Sequence, residues 1–142
     1  MKTKIKKIEK KEIDFQNEEI YKDVLDYIKH VYELIKYYQN DDTYDSAYNL
    51  NILRNIKMQN LVSQFENATK AILLNIVQGL KIFKRSEKAK YFNKARFHTV
   101  ECTVLLDILK TSLQDKSLDY SKLEEKNTLL TGKIDNLIRL WG

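Results

Sequence analysis

Apolar residues recur at three- and four-residue intervals through the middle of the chain, and this spacing limits the folds open to it. Between residues 61 and 83 the intervals stay close to 3.5 residues, the period of a helix that buries one side. The pattern begins near Tyr48, so we predict one long helix over 48–84. Its repeating residues are Leu53, Ile56, Leu61, Phe65, Ala68, Ile72, Ile76, Gly79 and Phe83.

Residues that interrupt helices are scarce. The 142 residues include three Gly and no Pro, and sheets and loop-rich folds need both residue types for their turns. A chain of this length can bury one hydrophobic core. Long helices packed around a single core are therefore expected.

Three further segments have helical spacing, and polar residues separate them. A segment rich in Asn and Asp follows the first helix over 40–46, Ser86 is expected to cap the third helix, and Ser121 with Glu124 forms a capping box before the fourth. We predict an all-α protein, an antiparallel up-down four-helix bundle with long helices over residues 17–142. The expected helices are 17–39, 48–84, 87–113 and 119–141.

Each of these helices is expected to bury one row of side chains. In the first helix the row is Ile20, Val24, Tyr27, Val31, Leu34, Ile35 and Tyr38. In the third it is Phe92, Ala95, Thr99, Cys102, Leu106, Leu109 and Leu113, and in the fourth Leu123, Leu130, Ile134, Leu137 and Trp141.

Two residues of the long helix interrupt its apolar stripe. Gly79 costs about 1 kcal/mol relative to Ala inside a helix, so we expect a close approach of another helix or a local bend there. Asn75 lies beside the stripe. We interpret it as a satisfied amide that sets the register of packing, rather than as a catalytic group.

Little in the sequence suggests catalysis. His30 and His98 lie in different helices, and neither has the Glu three residues earlier that marks di-iron bundles. Cys102 is the only cysteine, which excludes an intramolecular disulfide and a cysteine-based zinc site. We find no phosphate-cradling Gly-rich loop and no nucleophile elbow. We therefore predict a non-enzymatic binding protein without metal or cofactor. An enzyme, such as a nuclease or a metal-binding bundle, ranks third, after the two binding functions considered below.

The basic N-terminal residues permit two interpretations. Residues 1–12 carry six lysines against two glutamates, and we predict that residues 1–16 form a mobile arm. The arm is either an electrostatic tether to phosphate or a solvated tail. No signal-peptide core follows it, and no apolar run approaches the roughly 20 residues that cross a bilayer. A cytoplasmic location and no membrane partner are the default expectations.

The strongest functional signal is a basic block at residues 81–96. It contains seven basic residues against one acidic residue, Glu87, and this local excess is larger than the net charge of +5 of the whole chain. The block spans the corner between the second and third helices, where a nucleic-acid backbone gains by releasing counterions. The predicted nucleic-acid-binding residues are Lys81, Lys84, Arg85, Lys88, Lys90, Lys94 and Arg96.

Aromatic residues interleave with the basic block. Tyr91, Phe83 and Phe97 can stack on bases if their rings are exposed. The alternative is that Phe83 and Phe92 belong to the core and the lysines form a solvated rim. The sequence favours neither alternative.

Several short motifs of residues 61–101 match one family pattern without a gap. They are LVSQ at 61–64, Ala68, Ile72, the group Asn75, Ile76, Gln78 and Gly79 (the family's N-I-A-E-G, with Gln for Glu), Phe92, Asn93, Ala95 and Glu101. With these motifs the chain resembles the four-helix-bundle family encoded by intervening sequences within bacterial 23S ribosomal RNA genes. The chain departs from that family at Glu66 and Asn67, where two arginines are common, and at Leu73, where a proline is common.

The resemblance has implications for assembly and partners. Relatives of the family include the accessory variability determinant of diversity-generating retroelements, a pentameric basic bundle that partners a reverse transcriptase and its RNA. Residues 132–142 are similar to the end of both groups. The resemblance implies a homopentamer that binds RNA or DNA, as an accessory subunit of a reverse transcriptase. The alternative is a protein-interaction or scaffold bundle of the same family without a nucleic-acid role.

Overall fold

The computed structural model describes residues 18–39, 49–113 and 120–141, with side chains for 18–36, 59–111 and 120–141. These residues form four helices and no strand: α1 (Glu19–Gln39), α2 (Asn49–Lys81), α3 (Arg85–Leu113) and α4 (Tyr120–Trp141). All eight helix ends lie within three residues of their predicted positions. The predicted arm at 1–16 and the polar link at 40–46 lie outside the described residues.

The four helices pack as an antiparallel bundle. Each helix packs on the next along the chain, and α4 packs back on α1. Lys133 of α4 contacts Glu19 and Asp23 in the first turns of α1, whereas Lys126, two turns earlier in α4, contacts Asp26 further along α1. Residue numbers therefore rise along one helix as they fall along its neighbour. The predicted all-α four-helix bundle is confirmed.

The buried rows follow the predicted helical period. All the predicted core residues of α1 with described side chains are buried, and so are those of α3. The centre of the core contains large side chains less than 2% exposed, each of which stabilises the fold by about 1.5–3 kcal/mol when buried. They include Val24, Tyr27 and Val31 of α1, Phe65, Ile72 and Ile76 of α2, Phe92, Leu106 and Leu109 of α3, and Ile134 of α4.

Two aromatic residues predicted to be in the core are exposed. Phe83 is 63% exposed because α2 ends at Lys81, so Phe83 no longer follows the buried row of that helix. Trp141 is 38% exposed because it is the last residue of α4, at the open end of the bundle. The prediction was wrong at Trp141, and of the two alternatives left open for Phe83 the core position does not occur; in both cases helical spacing extends a row past the point where the helix itself stops.

Gly79 lies at a close approach of α2 and α3. A Cβ atom at this position would lie 2.5 Å from Cε1 and 2.7 Å from Cδ1 of Phe92, distances shorter than van der Waals contact. Phe92 is fully buried, and its ring therefore packs directly on the backbone of α2. The expected close approach of a second helix is confirmed, and Gly is required because it has no side chain.

The amide that joins two helices is Asn127 rather than Asn75. Asn75 donates to the carbonyl of Ala71 within α2 (2.8 Å), so it does not set the register between helices. Asn127 of α4 is buried, and its Nδ2 donates to the carbonyl of Thr99 (3.2 Å) and to the hydroxyl of Thr103, both on α3. A buried amide with partners on another helix fixes how the two helices align.

The start of α3 differs from the prediction. The carbonyl of Lys84 accepts the first bonds of the helix, from the N–H groups of Glu87 (3.1 Å) and Lys88 (2.9 Å). Ser86 is already inside the helix, so its predicted capping role is wrong. Among the described residues, no helix has both the length and the apolar character needed to cross a membrane.

Candidate nucleic-acid interface

The basic block of residues 81–96 lies at one end of the bundle, where α2 ends and α3 begins. Six of its seven basic side chains are exposed, and the seventh, Lys88, is not. The seven divide into three groups by the partners of their charged atoms. One side chain lies inside the bundle, two contact residues of α4, and four face solvent.

Lys88 turns inward and binds the end of α2. Its side chain is only 6% exposed, and its Nζ donates to the carbonyls of Gly79 (2.6 Å), Leu80 (3.3 Å) and Ile82 (3.0 Å). These carbonyls have no partner within the helix, and they carry the negative end of its dipole. The rings of Phe92 and Trp141 lie 5.7 and 5.1 Å from the ammonium.

This environment gives Lys88 a structural role. Burial lowers the pKa of Lys88, and the nearby charge of Glu18 acts in the opposite direction. With its three protons directed at backbone carbonyls, the ammonium has none left for a phosphate. Lys88 was among the predicted nucleic-acid-binding residues, and its burial removes it from the exposed surface.

Two arginines of the block contact α4. Arg85 donates from Nη2 to the carbonyl of Leu140 (2.9 Å), close to the end of the helix. Arg96 pairs through Nε with the carboxylate of Asp135 at 2.6 Å. Both side chains are exposed, but a carboxylate already neutralises much of the charge of Arg96. These contacts orient α4 against α3 and leave Arg96 a weaker phosphate ligand than the lysines.

The remaining four basic side chains are exposed and have no ion-pair partner among the described residues. Lys81 ends α2, Lys84 precedes α3, and Lys90 and Lys94 follow within the first three turns of α3. None of these corner lysines (Lys81, Lys84, Lys90, Lys94) forms an ion pair within the described part of the chain. Glu87, the single acidic residue of the block, is exposed beside them. A phosphate backbone can approach these four ammonium groups without displacing a carboxylate of the described residues.

Aromatic side chains accompany the corner lysines. Phe83 is 63% exposed and Phe97 is 66% exposed, so both rings are accessible for stacking. The ring of Tyr91 lies 5.0 Å from the ammonium of Lys94, in a cation–π contact. Phe92 is in the core and Phe83 is on the surface, so the core position that one interpretation gave to Phe83 is wrong, whereas the exposure of the lysines fits both interpretations.

A groove of about 500 Å³ lies between α2 and α3, one turn beyond Lys94. Small polar side chains of α2 line one wall, and a His–Glu pair of α3 lines the other, with Nδ1 of His98 lying 3.0 Å from Oε1 of Glu101. The polar lining consists of Asn60, Ser63, Gln64, Asn67, His98 and Glu101. The sequence analysis missed this groove, because its residues come from two helices and follow no motif.

The histidines contact neighbours on their own helices. Nδ1 of His30 lies 2.8 Å from the carbonyl of Asp26, and His98 pairs with Glu101 as described above. Across the described residues, no three His, Cys, Asp or Glu side chains lie close enough together to hold a metal ion. Burial raises the pKa of the Cys102 thiol to about 12, so this thiol remains protonated at neutral pH. Its position in the core matches the packing role expected of it.

Comparison of the chain with protein-family models, with curated proteins and with solved structures found no match in any of the three. The resemblance to the intervening-sequence family therefore remains a prediction based on the motifs of residues 61–101.

Proposed function

We propose that this chain is a non-enzymatic helical bundle that binds RNA or DNA through the corner lysines. The observation that carries the proposal is the group of four exposed ammonium ions, at one end of the bundle, that lack acidic partners among the described residues. Elsewhere, Lys70, Lys110, Lys126 and Lys133 each pair with a carboxylate, whereas the other exposed lysines without an ion pair among the described residues, Lys22, Lys29, Lys36 and Lys122, are distributed over α1 and α4.

The physical basis of binding is counterion release. Each phosphate neutralised by a lysine frees a condensed cation, so affinity falls steeply as salt concentration rises. The residues just before Glu18 in the sequence carry six more lysines, and α1 begins at the same end of the bundle as the corner lysines.

The experiment compares two fourfold variants with equal change in charge. The first replaces Lys81, Lys84, Lys90 and Lys94 with Gln, and the control replaces the exposed Lys22, Lys29, Lys36 and Lys122 with Gln. Binding to structured RNA and to duplex DNA is measured by fluorescence anisotropy across a range of salt concentrations. The corner variant is expected to bind at least about tenfold more weakly, with a salt slope smaller by up to about 3. Equal losses in both variants would contradict the proposal.

The resemblance extends the proposal to assembly. In this extended form the chain is a homopentamer that serves as an accessory subunit of a reverse transcriptase. Sedimentation of the same samples tests the assembly, and a monomer at micromolar concentration removes the pentamer. A reverse transcriptase gene beside the reading frame would support the extended proposal.

The second candidate is a protein-interaction bundle with no nucleic-acid role, and one observation favours it. An apolar ridge of exposed side chains follows the outward side of α3: Phe97 (66%), Val100 (46%), Val104 (53%) and Ile108 (43%). Exposed apolar rows of this kind often contact other protein surfaces. A stable oligomer in sedimentation, together with no RNA or DNA binding at low salt, would favour this candidate.

A further inference from the structure

Phe97 is an exposed aromatic residue whose ring contacts His98. Its ring is 66% exposed, and it meets the ring of His98 edge to face, with centroids 5.4 Å apart and an angle of 81° between the rings. His98 in turn is held by Glu101. Phe97 is thus an exposed ring next to the groove, because it contacts the ring of His98, which lines that groove.

The lining of the groove includes donors and acceptors of the kinds that hydrogen-bond to base edges. Asn60, Gln64 and Asn67 each carry one amide group that can both donate and accept. Amide side chains form paired hydrogen bonds with adenine, and a carboxylate such as Glu101 accepts from exocyclic amino groups. Small side chains at Ala68 and Ala71 leave the space between these groups open.

The corner lysines lead toward this groove along α3. Lys90 and Lys94 precede Phe97 by seven and three residues, about 10 and 5 Å along the helix axis. Residues three and seven apart lie on the same side of a helix. A strand whose phosphates contact Lys90 and Lys94 therefore brings its next base to Phe97 and the groove.

We propose that Phe97 and the groove between α2 and α3 form a base-binding subsite for single-stranded nucleic acid. An unpaired base stacks on Phe97, and its edge enters the groove toward Asn67 and Glu101. Bases within a duplex are stacked and paired, so they cannot offer a face to Phe97. The subsite rests on the proposed function, since the corner lysines supply the phosphate contacts, and it adds a preference for unpaired bases.

The experiment uses the full chain and three probes of equal length: a single-stranded oligonucleotide, the same strand with abasic sites, and a duplex. Phe97→Ala is compared with Val104→Ala, a truncation of an exposed side chain two turns further along the same side of α3 and outside the groove lining. Phe97→Ala is expected to weaken binding of the single strand about tenfold, the usual loss for one stacked base. The affinity of Phe97→Ala for the abasic strand and for the duplex should change by less than about twofold. The affinity of Val104→Ala for each of the three probes should also change by less than about twofold.

The outcomes distinguish a failure of the subsite from a failure of the proposed function. If Phe97→Ala weakens the three probes equally, or leaves the single strand unaffected, the subsite is wrong, while loss of binding in the corner-lysine variant still supports the proposed function. If Val104→Ala weakens the single strand as much as Phe97→Ala does, the ridge acts through self-association and the subsite is again overturned. If the wild-type chain binds none of the probes at low salt, the subsite and the proposed nucleic-acid binding are both wrong.

Discussion

At the scale of single residues, Lys88 connects the fold to the candidate interface. Its ammonium donates to three backbone carbonyls at the end of α2 and lies 5.7 and 5.1 Å from the ring centroids of Phe92 and Trp141. A buried charge that fully uses its donors holds the corner between α2 and α3 in one arrangement. The corner lysines are attached to that corner, so their spacing depends on Lys88.

Replacing Lys88 with Met is expected to destabilise the bundle. Met retains an unbranched apolar stem but leaves the carbonyls of Gly79, Leu80 and Ile82 without their donor. The cost of buried groups left unsatisfied is about 1–3 kcal/mol of unfolding free energy, which urea denaturation measures. The control is Lys90→Met, an exposed position at which a change within about 0.5 kcal/mol is expected. Equal stabilities for the two variants would show that the Lys88 contacts are dispensable.

The burial of Lys88 had a sequence signal that the prediction did not use. Lys88 precedes Phe92 by four residues, so it falls on the buried row of α3. The charge count of the basic block treated every lysine as exposed, because burial of a lysine requires acceptors. Those acceptors are carbonyls of another helix, and apolar spacing within α3 contains no information about them.

At the scale of the elements, the length and number of the helices were predictable and their ends were less so. The apolar period extends over several turns in each helix, so one atypical residue does not hide it. The ends depend on particular contacts. The carbonyl of Lys84 accepts the first hydrogen bonds of α3, so the helix begins at Arg85, one residue before Ser86, and the ammonium of Lys88 binds the carbonyls at the end of α2. Such contacts form between segments, and a residue type alone does not indicate them.

The two described helical glycines should respond oppositely to the same substitution. Gly79→Ala gains about 1 kcal/mol of helix propensity, but the added methyl would lie 2.5 Å from the buried ring of Phe92. Because that ring cannot move into solvent, a net loss of about 1–3 kcal/mol is expected. At Gly132 no atom lies within 4 Å of an added Cβ, so Gly132→Ala should stabilise by up to about 1 kcal/mol.

Thermal or urea unfolding of both glycine variants shows directly whether each substitution raises or lowers the free energy of unfolding. Two stabilised variants would mean that Phe92 repacks easily and that the contact between α2 and α3 is looser than the structure indicates. Two destabilised variants would point to a role for Gly132 that open space does not explain. The pair is informative because the chemical change is identical and only the surroundings differ.

At the scale of the whole molecule, charge is distributed unevenly over the bundle. Along the contact between α1 and α4, Lys133 pairs with Glu19 and Asp23, and Lys126 pairs with Asp26. The hydrogen bond from Lys126 lowers the pKa of the Asp26 carboxyl. The corner lysines have no such partners among the described residues. The molecule thus neutralises charge on one side and concentrates it at one end.

This distribution predicts opposite salt effects on stability and on binding. Unit charges of like sign about 10 Å apart in water repel by about 0.4 kcal/mol, and salt screens this repulsion. Raising salt from about 0.05 to 0.5 M should therefore stabilise the wild-type bundle by about 1 kcal/mol while it weakens nucleic-acid binding. Replacing all four corner lysines with Gln should raise the low-salt melting temperature and reduce its dependence on salt.

The fourfold control at Lys22, Lys29, Lys36 and Lys122 changes the net charge equally, so it separates a local effect from a global one. If the corner variant alone gains stability, the wild-type bundle retains a repulsive cluster that binding to a phosphate backbone would relieve. Charge kept at a cost in stability is characteristic of functional surfaces rather than of solvated rims. A corner variant less stable than the wild type would show instead that the lysines serve the fold, and the argument for a nucleic-acid interface would lose its electrostatic basis.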